Sequence, residues 1–503
     1  MKILLDTNII IKNAEGTQFT DEIQQLLDLI VTLGHEIYTH QATKIDFERD
    51  LDEKHKEKML KTLGSHQILD IQLDYRKDDS FKQIVGKPKV GSNNDVDNKL
   101  LYSLFSQNVD FLITDDLGIH RKSEELKIAD CVLTSLGALH FFNVLKKGVK
   151  YYVPSIQHVL CASLNLSDPI FDKLKKDYLV EKFSIWWKKI DEEGRKAFVY
   201  RKNDGFIGAL LILKRENESN MEFTPSLPKK RRVKICSLIV SSTGMKIGEL
   251  LIKIAVDHAI KYNIKEIYLT HFIDEIDYLI DLINKYGFKE WGVKVDGEKL
   301  YLKSLHKKDI SRKNLTPELR ARIASKFYPF IYDGNLANKF IVPIKPQFHS
   351  VLFKDYSGQK TIDEFFGGID VPGNTIKKAY LCLSNIKKIK KGDILLFYLS
   401  GEKKLTALGV VDEIYVNQQD SNEIIRRVSN RTVYSQSEIE EMAKKNVLVI
   451  IFIHKFYAKP TNLPDLIKWG VIKRAPQSIG EISHDSYIRL KENKVINADF
   501  TLN

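Results

Sequence analysis

Four short stretches of the chain carry acids beside apolar runs. Asp6-Thr7-Asn8 follows Lys2-Ile3-Leu4-Leu5. Asp46 lies a short way beyond His40. Asn93-Asn94-Asp95-Val96-Asp97 precedes the apolar run after Asn98, and Thr114-Asp115-Asp116 follows Phe111-Leu112-Ile113. Carboxylates brought together repel one another, and the cluster persists only with protons or a cation. Ligands made of oxygen alone select hard ions such as Mg²⁺ or Mn²⁺. A pair of such ions can activate water and stabilise the leaving oxygen of a phosphodiester. The chemistry these acids suggest is metal-dependent cleavage of nucleic acid.

The acids can act together only if the fold gathers them. Lys2–Leu5 reads as a buried strand with Asp6 at its carboxyl end, and ligands of open parallel sheets bind outside those ends. Glu36-Ile37-Tyr38-Thr39 reads as a second strand, feeding a helix that begins near Gln41 and carries Asp46 on its second turn. A helix is expected over Asn98–Leu104, and Phe111–Ile113 is another buried strand ending in acids. Strands alternating with helical patterns up to about Gly148 predict a parallel α/β sheet. Asp95 and Asp115 are reserve ligands, and Glu48 rivals Asp46. His120 and Arg121, one turn past Asp116, fit either a phosphate contact or a solvated basic turn.

These residues resemble the PIN-domain ribonucleases. Leu4-Leu5-Asp6-Thr7-Asn8 is similar to that family's opening motif, and the step from His40 to Asp46 to its strand-to-helix entry. Asp97-Asn98-Lys99-Leu100-Leu101-Tyr102-Ser103-Leu104 is similar to the helix bearing its third acid, and Thr114-Asp115-Asp116 to its Thr-x-Asp. The resemblance implies a central parallel sheet and an RNase site in which Asp6, Asp46, Asp97 and Asp116 are both catalytic and metal ligands. Asp46 departs from the family's usual Glu.

The second block, 150–305, follows the order helix (Asp168–Lys189), strands (Lys196–Arg201, Phe206–Leu213, Val233–Val240), helix (Gly248–Tyr262), strand (Glu266–Thr270), helix (Asp274–Lys285) and a hairpin through Asp296-Gly297. The strand before Ser241-Ser242-Thr243-Gly244-Met245-Lys246-Ile247-Gly248 leads straight into a helix, and backbone N–H groups at such a turn suit a pyrophosphate. The block resembles the GNAT acyltransferase fold, with a mixed α/β sheet, and Lys285-Tyr286-Gly287-Phe288 is similar to a second stretch of that family. The implied ligand is acetyl-coenzyme A, held around Met245, Lys246, Ile247 and Gly248. Thr243 stands in the family's Arg/Gln place and Lys246 in that of the first glycine. Ile283 stands where a tyrosine often serves as general acid, which leaves Tyr278, Tyr286 and His271 as substitutes. Leu227-Pro228-Lys229-Lys230-Arg231-Arg232-Val233-Lys234 reads as a basic β-arm entering the sheet, or as an import signal.

A linker and helical or extended connection, 306–378, leads to a strand-rich block, 379–503. Lys391-Gly392-Asp393-Ile394-Leu395-Leu396-Phe397-Tyr398, then Leu405–Val411 and Val447–His454, read as strands. The run resembles PUA-like domains of the EVE and ASCH group, which implies a β-barrel with helices that binds RNA or a modified base. Lys377, Lys378, Lys387, Lys388, Lys390 and Lys391 are placed to track phosphates. Tyr398 and Trp469 are candidate stacking surfaces.

The chain has 503 residues, with 78 Lys plus Arg against 66 Asp plus Glu, a net +12 that favours a polyanionic partner. No apolar run reaches the ~20 residues of a membrane span. Met1-Lys2-Ile3-Leu4-Leu5-Asp6 places an acid where a signal peptide would stay apolar. Its 4 cysteines form no CxxC pair, so neither a disulfide framework nor a cysteine zinc site is expected. The expectation is a cytoplasmic, RNA-processing or toxin-like ribonuclease with acetyl-CoA-binding and RNA-binding modules, the toxin-like form implying a small antitoxin-like partner. The alternatives are an N-acetyltransferase acting on a protein or RNA amine, and a non-catalytic RNA-binding regulator.

Overall fold

Strands β1 (Lys2–Leu5), β2 (Glu36–His40), β3 (Gln67–Leu69), β4 (Phe111–Ile113) and β5 (Val132–Leu133) form a sheet in the order β3-β2-β1-β4-β5. Every neighbouring pair is parallel. A parallel sheet is covered on both faces, so its strands read as continuous apolar runs; Ile3, Leu4, Leu5, Phe111, Leu112 and Ile113 are all buried. From β1 the chain moves to β2 and β3 on one side, then to β4 and β5 on the other, so the order reverses between β1 and β4. Leu5 pairs with Ile113. The next residues, Asp6 and Thr114, therefore face each other at that reversal, where ligand crevices of open sheets form.

This computed structural model describes residues 1–14, 18–48, 52–54, 56–57, 61, 67–69, 74–146, 155–202, 204–241, 246–273, 277–353, 356, 369–370 and 376–503. Among them the chain divides into two compact units, one of residues 1–146 and 418–447, the other of 155–241, 246–417 and 448–503. The first unit thus includes an excursion from the strand-rich block, with helices Ser421–Val428 and Gln436–Ala443. Its apolar residues Ile424, Ile425, Val428 and Ile439 are buried. Arg431 pairs with Asp130, and Gln436 Nε2 donates to the Leu33 carbonyl at 3.4 Å.

The second unit holds two mixed sheets. In one, β6 (Ser155–Leu160), β7 (Lys196–Arg201), β8 (Ile207–Asn220), β9 (Leu227–Val240), β10 (Glu266–His271), β11 (Lys289–Val293) and β12 (Lys299–Ser304) run in the order β11-β12-β10-β9-β8-β7-β6. Only β9 and β10 among these are parallel neighbours. Strands β8 and β9 run well past the expected ends at Leu213 and Val233. Cross-strand pairs Glu216↔Arg232, Asn217↔Arg231 and Glu218↔Lys230 continue the hairpin in polar sequence. The expected single helix Asp168–Lys189 is broken at Leu179, φ +63°, into Asp172–Tyr178 and Val180–Glu192.

Strand β13 (Lys339–Ile344) belongs to the other sheet, whereas β14 (Ile369–Asp370) pairs with β6. With β15 (Lys377–Cys382), β16 (Ile394–Leu399), β17 (Lys404–Gln418), β18 (Val447–Asn462) and β19 (Gly480–Ile482), the order is β15-β18-β17-β16-β13-β19. The expected barrel is, among the described residues, an open sheet: β19 has three residues and spends its pairing on β13.

Candidate active site

Asp6 is the hub of the β1/β4 reversal. The Thr7 N–H donates to Oδ1 at 2.6 Å, Asn8 Nδ2 donates to Oδ2 at 2.7 Å, and the Thr114 hydroxyl donates to Oδ2. The same hydroxyl accepts from the Asp116 N–H at 3.0 Å, so Thr114 ties the two acids together. Asp116 Oδ1 accepts from the Ile119 N–H at 2.9 Å and caps the helix Leu117–Glu125. Burial raises the Asp6 carboxyl to about 7; the charges of Asp97 and Asp116 add to that, against the hydrogen bonds from Thr114 and Thr7. Asp97 lies inside the helix Asn93–Phe105 rather than ahead of it. Lys122, whose Nζ donates to Asn98 Oδ1 at 2.9 Å, stands near the cluster: burial lowers its ammonium while Asp97 and Asp116 oppose.

The structure thus brings Asp6, Asp97 and Asp116 within electrostatic reach of one another. Asp46 is on the helix Thr43–Glu48, with its side chain outside the described residues. Glu48 is exposed and lies 3.6 Å from Lys44. Among the described residues no group of three or more His, Cys, Asp or Glu stands in metal-holding geometry. A divalent ion nonetheless fits the donor set in kind: three carboxylates, one of them desolvated and raised by the other two.

Both reserve acids are structural. Asp95 is fully buried and accepts from Tyr75 Oη at 2.8 Å, Arg76 Nη2 at 2.5 Å and the Gly91 N–H at 2.8 Å, with Lys99 Nζ at 3.1 Å. Burial opposes ionisation there, but these donors outweigh it and hold the carboxyl at about 2. Asp115 accepts from Lys12 Nζ at 2.6 Å and the Ser135 N–H at 2.8 Å. His120 is also committed, donating from Nε2 to the Thr114 carbonyl at 2.9 Å, whereas Arg121 is exposed. Thr114 and Asn8 are the site residues the list of acids passed over; Thr114-x-Asp116 was the available signal.

In the second unit, β9 and β10 pair only from Ile267↔Val233 to Leu269↔Ile235, while β10 stays with β12 as far as His271↔Lys299. The parallel strands therefore part at their carboxyl ends, and the helix Ile247–Lys261 follows β9. Lys246 adopts φ +56° ahead of that helix, a conformation that favours glycine. Ile247 is buried. A Cβ on Gly248 would lie 2.7 Å from Leu282 Cδ2, so this glycine serves close packing on the helix Tyr278–Lys285. Met245 lies outside the described residues, as does the side chain of Tyr278. His271 Nε2 is 2.6 Å from Asp277 Oδ2 at the end of β10. The Tyr286 carbonyl accepts from the buried Lys303.

The lysine stripe of the third sheet is largely spent on internal partners. Lys377 pairs with Asp412 at 2.7 Å, Lys388 with Glu481 at 3.3 Å and Lys391 with Glu413 at 3.6 Å. Lys378 is buried, donating to the Leu352 carbonyl at 2.7 Å. Lys387 and Lys390 are exposed. Tyr398 is a core residue, 1% exposed, and offers no face to a base. Trp469 is half-buried at the end of the helix Leu463–Lys468. Asp393 is a buried turn anchor, accepting from the Lys390 and Asn338 N–H groups at 2.9 and 3.0 Å.

No protein-family model matches the chain, and no curated protein matches it. Among solved structures, ASCH from Zymomonas mobilis is 13% identical over 31% of this chain and 94% of its own, with a TM-score of 0.23. A GNAT-family acetyltransferase from Listeria monocytogenes is 18% identical over 30% of this chain and 94% of its own, TM-score 0.20. A ribosomal-protein-alanine N-acetyltransferase from Brucella melitensis is 15% identical over 30% of this chain and 98% of its own, TM-score 0.23. No helix among the described residues is long and apolar enough to cross a membrane.

Proposed function

We propose that the first unit is a metal-dependent ribonuclease acting at the β1/β4 reversal. The observation that carries this reading is the Asp6 carboxyl, buried at a strand end and raised to about 7 by desolvation with help from Asp97 and Asp116. Such a corner is stable with a cation and strained without one. Asp6, Asp97 and Asp116 would hold Mg²⁺ or Mn²⁺, with Asp46 as the fourth ligand by resemblance. The ion would supply neutralising charge and Lewis acidity toward a phosphodiester. Thr114 and Asn8 hold the Asp6 carboxylate in one orientation, and the Asp116 cap keeps its helix start fixed beside it. Lys122 brings positive charge to the same edge, where the substrate's phosphates would lie. RNA as the substrate rests on the PIN-like motifs and on the net +12. The exposed Lys387 and Lys390 of the third sheet are proposed to add to its capture. The test is RNA cleavage with Mg²⁺ or Mn²⁺ by the full chain and by Asp6→Asn. Cleavage that vanishes in the variant, with folding intact, supports the assignment; equal cleavage by both overturns it.

A second reading belongs to the second unit. The parting of β9 and β10, beside a helix start and the His271–Asp277 pair, suits a thioester ligand entering between the strands and a base oriented by a carboxylate. Acetyl-coenzyme A is the proposed ligand. Calorimetry with acetyl-coenzyme A tests it: no heat of binding leaves this sheet a scaffold, and binding that survives His271→Asn while acetyl transfer falls gives His271 its role.

A further inference from the structure

The β8–β9 hairpin separates its charges by face. Alternation along a strand sends successive side chains to opposite sides. One side carries Lys214, Glu216, Glu218, Lys230, Arg232 and Lys234. Its acids are matched there: Lys214 lies 2.9 Å from Glu218, Arg232 lies 2.7 Å from Glu266, Lys230 also pairs with Glu266, and Tyr268 donates to Glu216. The other side carries Arg215, Asn217, Ser219, Lys229 and Arg231, and between Arg215 and Arg231 it contains no acid. All five of these residues are exposed.

The helix Ile247–Lys261 covers this second side only lower down, over Val233 and Ile235, and it ends where the basic residues begin. At that end the Arg215 guanidinium stacks 3.7 Å from the Tyr262 ring centroid, and Arg231 Nη2 donates to the Tyr262 carbonyl at 3.4 Å. Lys261 Nζ stands 5.4 Å from the same ring. The result is a row of cations at strand spacing, beside a planar guanidinium already seated on an aromatic ring. Point charges serve phosphates, and a flat guanidinium with one face still in solvent serves a base. An anionic lipid surface would use the charges but has no need of the stack.

We propose that the Arg215–Lys229–Arg231 face of the hairpin is a docking surface for single-stranded RNA. This inference rests on the reading of RNA as the substrate and names a surface away from the acids for holding it. The experiment is fluorescence anisotropy of a labelled single-stranded RNA with the full chain carrying Asp6→Asn, across a salt series. The triple substitution Arg215→Gln, Lys229→Gln, Arg231→Gln should weaken binding about tenfold or more at low salt. It should also flatten the slope of log K against log salt by about 2, at roughly 0.7 per lost phosphate contact on a single strand. Lys214→Gln, on the matched face, should leave both unchanged. Should the triple variant melt early, Lys229→Gln alone carries the test, with a slope change of about 0.7. Unchanged affinity and slope in the basic-face variants overturns the assignment while RNA binding itself stands. Loss of binding to phosphatidylserine vesicles with RNA affinity retained overturns it in favour of a membrane surface. A parent chain with no RNA affinity removes the RNA reading and this surface with it.

Discussion

Two buried carboxylates of the first unit, Asp6 and Asp95, differ in exposure by almost nothing, 4% against 0%, yet stand in opposite states. Asp95 is surrounded by Arg76, Lys99, Tyr75 and the Gly91 N–H, and is held at about 2. Asp6 has only neutral donors in contact and two further acids in range, and is raised to about 7. Burial alone therefore says little about the role of an acid; the sign of what surrounds it separates a structural anchor from a site that lacks a charge.

The largest effect should come from breaking the anchor. Asp95→Asn leaves Arg76 and Lys99 beside a neutral group in the interior, and removal of one partner from a buried ion pair costs about 3–5 kcal/mol. Denaturant unfolding of the variant measures it. A loss below about 1 kcal/mol would mean that Asp95 is as uncommitted as Asp6. Asp6→Asn should behave in reverse: it gives up a hydrogen bond but also a desolvated charge, so its melting temperature should stay near that of the parent while cleavage falls by about 100-fold or more. That exceeds the 10- to 100-fold typical of an outer-shell partner of a metal ligand. Thr114→Val is such an outer-shell change. It removes the hydroxyl that donates to Asp6 and accepts from the Asp116 N–H, and should cost about 10- to 100-fold in cleavage. Full activity in Thr114→Val would show that Asp6 needs no orientation.

The contrast also explains which parts were readable. β1 and β4 were legible because strands covered on both faces are apolar throughout, and the acid following each run marks its end. Asp95 and Asp115 looked equivalent to Asp97 and Asp116 because what distinguishes them comes from elsewhere: Arg76, Lys12 and Ser135. The lysine stripe failed for the same reason, since Asp412, Glu413 and Glu481 arrive from other strands of the sheet. The long hairpin was missed because its outer half is stabilised by charge pairs across strands rather than by apolar alternation. The excursion of 418–447 into the first unit joins residues such as Asp130 and Ser429, far apart in the chain, and no local pattern announces it.

Gly248 offers a smaller test of the same idea in the second unit. As a phosphate-approach glycine its loss would weaken a ligand; as a packing glycine its loss would weaken the fold. With Leu282 Cδ2 at 2.7 Å from the added Cβ, Gly248→Ala should cost about 1–3 kcal/mol of stability. Adding Leu282→Ala should recover part of that Cβ clash, read as a positive coupling in a double-mutant cycle. Normal stability with weakened acetyl-coenzyme A binding would return the glycine to the ligand.

The smallest effect is expected at Tyr398, and it is informative for that reason. Its ring is packed in the sheet interior, and its buried hydroxyl finds no hydrogen-bond partner in the protein. Burial alone pushes that hydroxyl's pKa upward. An unpaired buried hydroxyl costs free energy that phenylalanine does not, so Tyr398→Phe should leave stability unchanged or raise it by up to about 1 kcal/mol. RNA affinity should not move. If affinity drops in Tyr398→Phe, the core must open enough for the hydroxyl to reach a base, and the third sheet would then bind through an interior pocket rather than through exposed residues such as Lys387 and Lys390.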